Sequence, residues 1–211
     1  MAPIVKIISQ AGFVYEQNNH VAYVDKEGKH SAAFHTMMDF IKECKLSYAM
    51  LHAPTIYCEI VEQMWTSGRY DSTSKTLSVS INGTSYNING ETVRAALHLP
   101  KNSTDRLPSE SEIVSMLRDM HYNGDLSCLG QILRRYMRKE WSFLCDSFIK
   151  VFSGKVSNYD AFTMSMQSMF YMLMTDDYYN IGDLVLFEIV AKLGPHEGRP
   201  NNVYFLSLIH I

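Results

Sequence analysis

Nowhere does the chain of 211 residues hold about 18 consecutive apolar side chains, so no membrane-spanning helix is read in it. Its first residues, MAPIVKIISQAGF, lack a long apolar core followed by a small-residue cleavage site, and no secretory leader is read there. Cysteine is sparse. Cys44, Cys58, Cys128 and Cys145 form no C-x-x-C pair, and each lies in or beside a helical pattern. Buried, reduced thiols of an intracellular protein are the expectation. Without a leader, the acceptor-like triplets at Asn82 and Asn102 read as a turn and a loop rather than as glycosylation sites. A basic excess is also missing. The 22 acidic and 19 basic residues leave a net charge of −3, which argues against a general nucleic-acid binder.

The usual chemical devices are absent as well. There is no G-x-x-x-x-G-K and no G-x-G-x-x-G to cradle phosphates. Neither H-E-x-x-H nor a G-x-S-x-G elbow occurs, and no Asp-Thr/Ser-Gly triplet is encoded. The four cysteines are too dispersed for a zinc knuckle. The eight histidines are scattered; His35 and His52 flank the first helix with no second ligand spaced to join either. The thirteen methionines sit at helical core spacing and read as packing. No cofactor, no metal and no catalytic residue is implied.

What is present is a core's worth of apolar residues, 46% of the chain against 19% charged, enough for one domain or a domain plus an arm. Its clearest local signal is Leu77 to Pro100. Asn82-Gly83 lies between two alternating runs, and a type I′ hairpin turn needs positive φ at both central residues. Leu77, Val79 and Ile81 share one face of the first strand, and Thr84, Tyr86 and Ile88 one face of the second. Asn89 is placed to cap a helix with Glu91 in its first turn, and Pro100 ends it.

Helical spacing recurs on both sides. Phe34, Met37, Met38 and Ile41 mark one helix. Pro54 opens a second, with Ile56, Tyr57, Ile60, Val61, Met64 and Trp65 on its face and Gly68 as its stop. Tyr57 and Trp65 read as core. Ser109 and Glu112 form a capping box before Ile113, Met116, Leu117 and Met120. A short helix is expected over Ile132 to Met137, and a strict one from Trp141 to Phe152. Asn158 is the expected cap of a helix bearing Phe162, Met166, Met169 and Phe170. The last helix, from about Asp183 to Leu193, is apolar on most sides and reads as central in the core. The expected fold is mainly α: about seven helices with one β-hairpin near residues 76–88. Residues 1–30, with short strands at Ile4–Ile8 or around Val21 and Tyr23, read as an arm, and 31–205 as a single helical domain.

Two clusters carry charge worth testing. Arg134, Arg135, Tyr136, Arg138 and Lys139 belong to the one basic run; they suit phosphate contacts with Tyr136 stacked on a base, and equally a solvated helix face. Asp176-Asp177 follows an apolar run, as a magnesium pair does in polymerases. The preceding YMLMT has no tyrosine at the polymerase spacing, so the pair reads as a solvated helix end.

The order Phe34-His35, Asp39-Phe40-Ile41, Tyr48-Ala49, Pro54-Thr55-Ile56-Tyr57 and Gln63-Met64-Trp65 resembles plant open reading frames of the form FH…DFL…YAL…NPTIY…QFW. Asn82-Gly83, Arg94, Leu97-His98-Leu99-Pro100 and Trp141-Ser142-Phe143-Leu144 continue the likeness, which covers roughly residues 20–205. The chain also resembles the broader plant transposon protein domain. Met50-Leu51-His52 departs from the pattern by being more apolar. The resemblance implies a non-enzymatic, Gag-like part of an LTR retrotransposon, self-associating or protein-binding. Some such frames carry a synaptobrevin or longin label, but a longin domain is built on a central sheet and this chain is mainly helical. The resemblance carries no catalytic residue with it.

Leu206-Ser207-Leu208-Ile209-His210-Ile211 also resembles the translation of a sequencing-transposase adapter end, so residues 206–211 read as a technical scar or, in the alternative, as a native apolar helix start. Three functions follow: the Gag-like domain, a domesticated plant interaction module in nucleus or cytoplasm, and a transposition enzyme. The last needs an acidic triad on a ribonuclease-H sheet, whose alternating strands and helices are not read here.

Overall fold

Helix-spaced runs and one alternating run account for most of what a computed structural model of the chain describes, namely residues 14–15, 34–51, 57–101, 106–153, 159–175, 180–193 and 202–203. In chain order the elements are β1 (Val14–Tyr15), α1 (His35–Glu43), α2 (Ser47–Leu51), α3 (Cys58–Ser67), β2 (Arg69–Asp71), β3 (Thr76–Ile81), β4 (Thr84–Ile88), α4 (Gly90–Ala96), α5 (Glu110–Asp119), α6 (Lys139–Phe152), α7 (Met164–Met174), α8 (Ile181–Val190) and β5 (Asn202–Val203). The fold is mainly α with a small antiparallel sheet. A separate parallel pair joins β1 to β5. Among the described residues no helix is long and apolar enough to cross a membrane.

The hairpin forms where the turn chemistry places it. Asn82 and Gly83 have φ of 52° and 77°, as a type I′ turn requires. Ile81 pairs with Thr84, Val79 with Tyr86 and Leu77 with Ile88. Directly opposed residues share a face, so these six line one side of the ribbon. Leu77, Val79 and Ile88 are buried there, whereas Tyr86, on the same face of β4, is exposed.

The expected hairpin has a third strand. After Gly68, β2 pairs with β3 through Arg69–Ser78, Tyr70–Leu77 and Asp71–Thr76. Beyond the end of β2, helix α3 takes over that side of β3. The Ser80 N–H donates to Ser67 Oγ at 2.8 Å, and the Asn82 N–H donates to Gln63 Oε1 at 2.6 Å. Two side chains of α3 thus satisfy backbone groups that a longer β2 would have paired.

Capping follows the sequence closely at two helices. Asn89 accepts from the Thr92 N–H at 2.9 Å to start α4. Ser109 and Glu112 make the reciprocal capping box of α5, and Arg106 donates two bonds to the same carboxylate. The core gathers around α6, whose Leu144, Cys145, Phe148, Ile149 and Phe152 are fully buried. Phe148 meets Phe170 of α7 edge-on at 5.4 Å, and Phe170 meets Phe162 at 5.5 Å. Such pairs contribute about 1 kcal/mol each beyond the area they bury.

Several expectations need correction. Where a helix is expected over Ile132 to Met137 there is one 3-10 turn, Arg134–Tyr136; another, Leu129–Gln131, precedes it, and between them Leu133 bridges to Ala161. The helix expected to bear Phe162 starts only at Met164 behind Thr163, and the Phe162 N–H, ahead of it, donates to Ile132 O. Asn158, its expected cap, lies outside the described residues. So do His52, Pro54, Asn102, Asp176, Asp177, the proposed strands of the N-terminal arm and residues 206–211. Helix α3 begins only at Cys58, which leaves Tyr57 in extended backbone and 64% exposed rather than in the core. Trp65 is buried as expected. Helix α8 begins at Ile181, with Asn180 as its cap, and its Phe187 is 58% exposed despite the apolar sequence around it. Of the four thiols only Cys145 is buried; Cys44 and Cys58 are half-buried and Cys128 is exposed.

Candidate nucleic-acid interface and the groove beside it

The basic run does not lie on one helix face. Arg134, Arg135 and Tyr136 make a 3-10 turn, Met137 is buried, Arg138 precedes α6 and Lys139 is its first residue. The turn is held by Asp160, about twenty-five positions along the chain. The Arg134 N–H donates to Asp160 O at 2.7 Å, and the Arg135 N–H donates to Asp160 Oδ1 at 2.8 Å.

Two of the four cations are also paired through their side chains. The half-buried Arg134 guanidinium donates to Tyr159 O and to Ser142 O and Oγ, and it pairs with Asp146 at 3.4 Å. Lys150 reaches the other oxygen of Asp146 at 2.7 Å. Arg135 pairs with Asp160 and lies 6.0 Å from the centre of the Tyr136 ring. Arg134 therefore acts as a fastener between α6 and the segment from Tyr159 to Ala161. Arg138 and Lys139 are exposed and flanked by the exposed Glu140, whereas Arg135, also exposed, is already paired with Asp160. Two cations beside an acid make a small electrostatic footprint for a polyanion.

Tyr136 forms one wall of an open groove of about 400 Å³ lined by Tyr122, Asn123, Gly124, Asp125, Cys128, Gln131 and Leu133. Tyr122 stands edge-on to Tyr136 at 6.2 Å and its hydroxyl accepts the Leu133 N–H at 3.1 Å. Asp125 accepts from Ser127 through both its N–H and its hydroxyl, and these bonds hold its carboxyl below the usual range. The Cys128 thiol is exposed on the rim. Among the described residues, no histidine, lysine or arginine lines the groove. What the groove offers is one half-exposed aromatic ring and a set of small polar groups.

Elsewhere, ionised groups pair locally. Glu91 and Arg94 form a close pair on α4; the Arg94 hydrogen bond holds the Glu91 carboxyl below its usual range. Glu112 is held lower still, by Arg106 first and Ser109 second. Among the described residues no three His, Cys, Asp or Glu side chains gather as metal ligands do. His35 opens α1 and joins no such group.

Sequence reasoning found the basic run but not the groove. Its walls come from Tyr122 and Tyr136, fourteen positions apart by their numbers, joined by the Asn123 N–H donating to Tyr136 O at 2.9 Å. Periodicity carries no signal of such a contact.

The fold and this site define a mainly helical domain with a three-stranded meander and a locally neutralised basic turn. No protein-family model, no curated protein and no solved structure matches the chain.

Proposed function

We propose that the chain is a non-enzymatic, retroelement-derived Gag-like domain of an intracellular plant protein, and that it works by binding copies of itself. The observation that supports this most is where large apolar side chains are left uncovered. Tyr57 beside α3, Tyr86 on β4 and Phe187 on α8 are each at least half exposed, on a domain that buries most of its other large apolar residues. Exposed apolar side chains on separate elements suit a protein that meets its neighbours through more than one contact. The motif order from Phe34-His35 to Trp141 supports the same reading.

Sedimentation velocity across the micromolar range tests it. A concentration-dependent rise above the monomer value is expected, and a chain that stays monomeric throughout overturns the self-association reading. Reading the genomic frame past Phe205 tests the retroelement part. A protease, integrase or reverse transcriptase downstream is expected. A short expressed gene without them favours the domesticated interaction module instead.

A further inference from the structure

The two edges of the sheet are treated differently. Strand β2 has three residues, two of them the charged Arg69 and Asp71. Short length and charge are the usual protections of an open edge. Strand β4, Thr84-Ser85-Tyr86-Asn87-Ile88, has five residues and carries no charge, no proline and no bulge. Its first four residues are exposed.

Hydrogen-bond alternation says which backbone groups face outward. The two-residue loop makes Ile81–Thr84 the first hydrogen-bonded pair, so Val79–Tyr86 and Leu77–Ile88 are the next ones. The intervening Ser80 turns its N–H the other way, to Ser67 on the α3 side, as that alternation demands. Ser85 and Asn87 then direct their N–H and C=O away from β3. Among the described residues no strand pairs with that side of β4.

We propose that the β4 edge pairs antiparallel with the β4 edge of a second copy of this chain, joining two three-stranded sheets into one of six strands. The inference rests on the self-association reading and names its surface. One symmetric register uses the edge fully. A two-fold axis at Tyr86 sets Ser85 opposite Asn87 of the second copy, and the two pairs so formed exchange four N–H···O=C bonds. Tyr86 then faces Tyr86 of the second copy in a non-hydrogen-bonded pair, the arrangement that brings side chains closest. Both rings lie on the face that Val79 already makes apolar, so the half-exposed ring is covered by its own copy. With no charge in either strand, the self-pairing meets no like-charge repulsion. A five-residue edge buries less than the roughly 1,200 Å² of a standard interface, so the dimer is a weak and reversible one.

Sedimentation equilibrium of the full chain and three variants tests the edge. Tyr86→Lys puts like charges opposite each other and is expected to weaken dimerisation about tenfold or more. Ser85→Pro removes two of the four new hydrogen bonds, with a similar loss. Tyr70→Lys on the opposite edge leaves dimerisation unchanged. Far-UV circular dichroism and thermal melts establish that each variant is folded; should Ser85→Pro not fold, Tyr86→Lys decides. If the wild type associates and folded Tyr86→Lys associates equally well, the β4 pairing is wrong while self-association stands. If the wild type is monomeric throughout, both fall.

Discussion

Gly182 at the start of α8 lies directly against the carbonyl of Gly90 at the start of α4, so closely that a Cβ on Gly182 would stand 1.9 Å from that oxygen. A Cβ on Gly90 would meet Asp183 Oδ1 at 1.8 Å and the Asp183 backbone nitrogen at 2.8 Å. Glycine at both positions lets the two helices approach at backbone distance, which brings α8 against the helix that follows the hairpin. Alanine normally favours a helix over glycine by about 1 kcal/mol. Here the clash reverses the sign. Gly182→Ala is expected to destabilise by about 3 kcal/mol, since the obstacle is backbone. Gly90→Ala should cost somewhat less, because the Asp183 side chain can swing away and the Asp183 backbone nitrogen, at 2.8 Å, needs the smaller shift. Urea unfolding of the two variants gives the order.

Arg134 and its neighbours Arg138 and Lys139 look alike in sequence and differ in what they hold. Arg134→Ala strips bonds from Tyr159 O, Ser142 and Asp146, and is expected to cost about 2 kcal/mol of stability. Arg138→Ala and Lys139→Ala should stay within about 0.5 kcal/mol of wild type. If the exposed pair touches phosphates, their double substitution lowers the salt slope of oligonucleotide binding by about 1.5 without moving the melting temperature. Fluorescence anisotropy over a salt series separates the two roles.

Glu112 links stability to pH. Arg106 and Ser109 hold its carboxyl below its unfolded value, so the folded state binds this proton less readily than the unfolded one. The stabilisation is therefore present above the unfolded carboxylate range, about pH 4 to 5, and is lost as pH falls toward the folded value. Glu112→Gln removes the titration. Its melting temperature should lie below wild type at pH 7, and the gap should narrow steadily below about pH 5. A gap that stays constant down to pH 3 would show that Arg106 and Ser109 do not hold this carboxylate.

How far the sequence could be read depended on how local the determining contacts are. Asn82-Gly83 was legible because two adjacent residues set the turn by themselves. The Ser109–Glu112 box was legible because both partners lie within one helical turn. Strand β2 was not, since three residues show no period and only pairing with Thr76 to Ser78 makes Arg69–Asp71 a strand. Ile132, Leu133, Tyr136 and Met137 mimic helical spacing, but Leu133 bridges to Ala161 and Arg134 is held by Asp160. Those partners lie more than twenty positions away and leave no mark on the local pattern. Partners twelve and twenty-five positions away hid the fate of the basic run. Its charge was visible, and the Asp146 and Asp160 carboxylates that absorb half of it were not.

The four cysteines should separate by reactivity in the order of their burial. Cys128 sits exposed on the groove rim, whereas Cys145 is enclosed by α6 with its thiol 3.5 Å from Met137 Sδ. Burial pushes the Cys145 thiol well above its usual value, and it raises Cys44 as well. The thiolate is the reacting species, so low access and a raised pKa act in the same direction. With a disulfide reagent under native conditions, a fast phase is expected that Cys128→Ser removes. Cys145 should react only as the domain opens, at a rate set by unfolding rather than by reagent concentration. Rapid native labelling of Cys145 would mean that α6 is not packed on Met137 and that the basic turn beside it is not fixed by that contact.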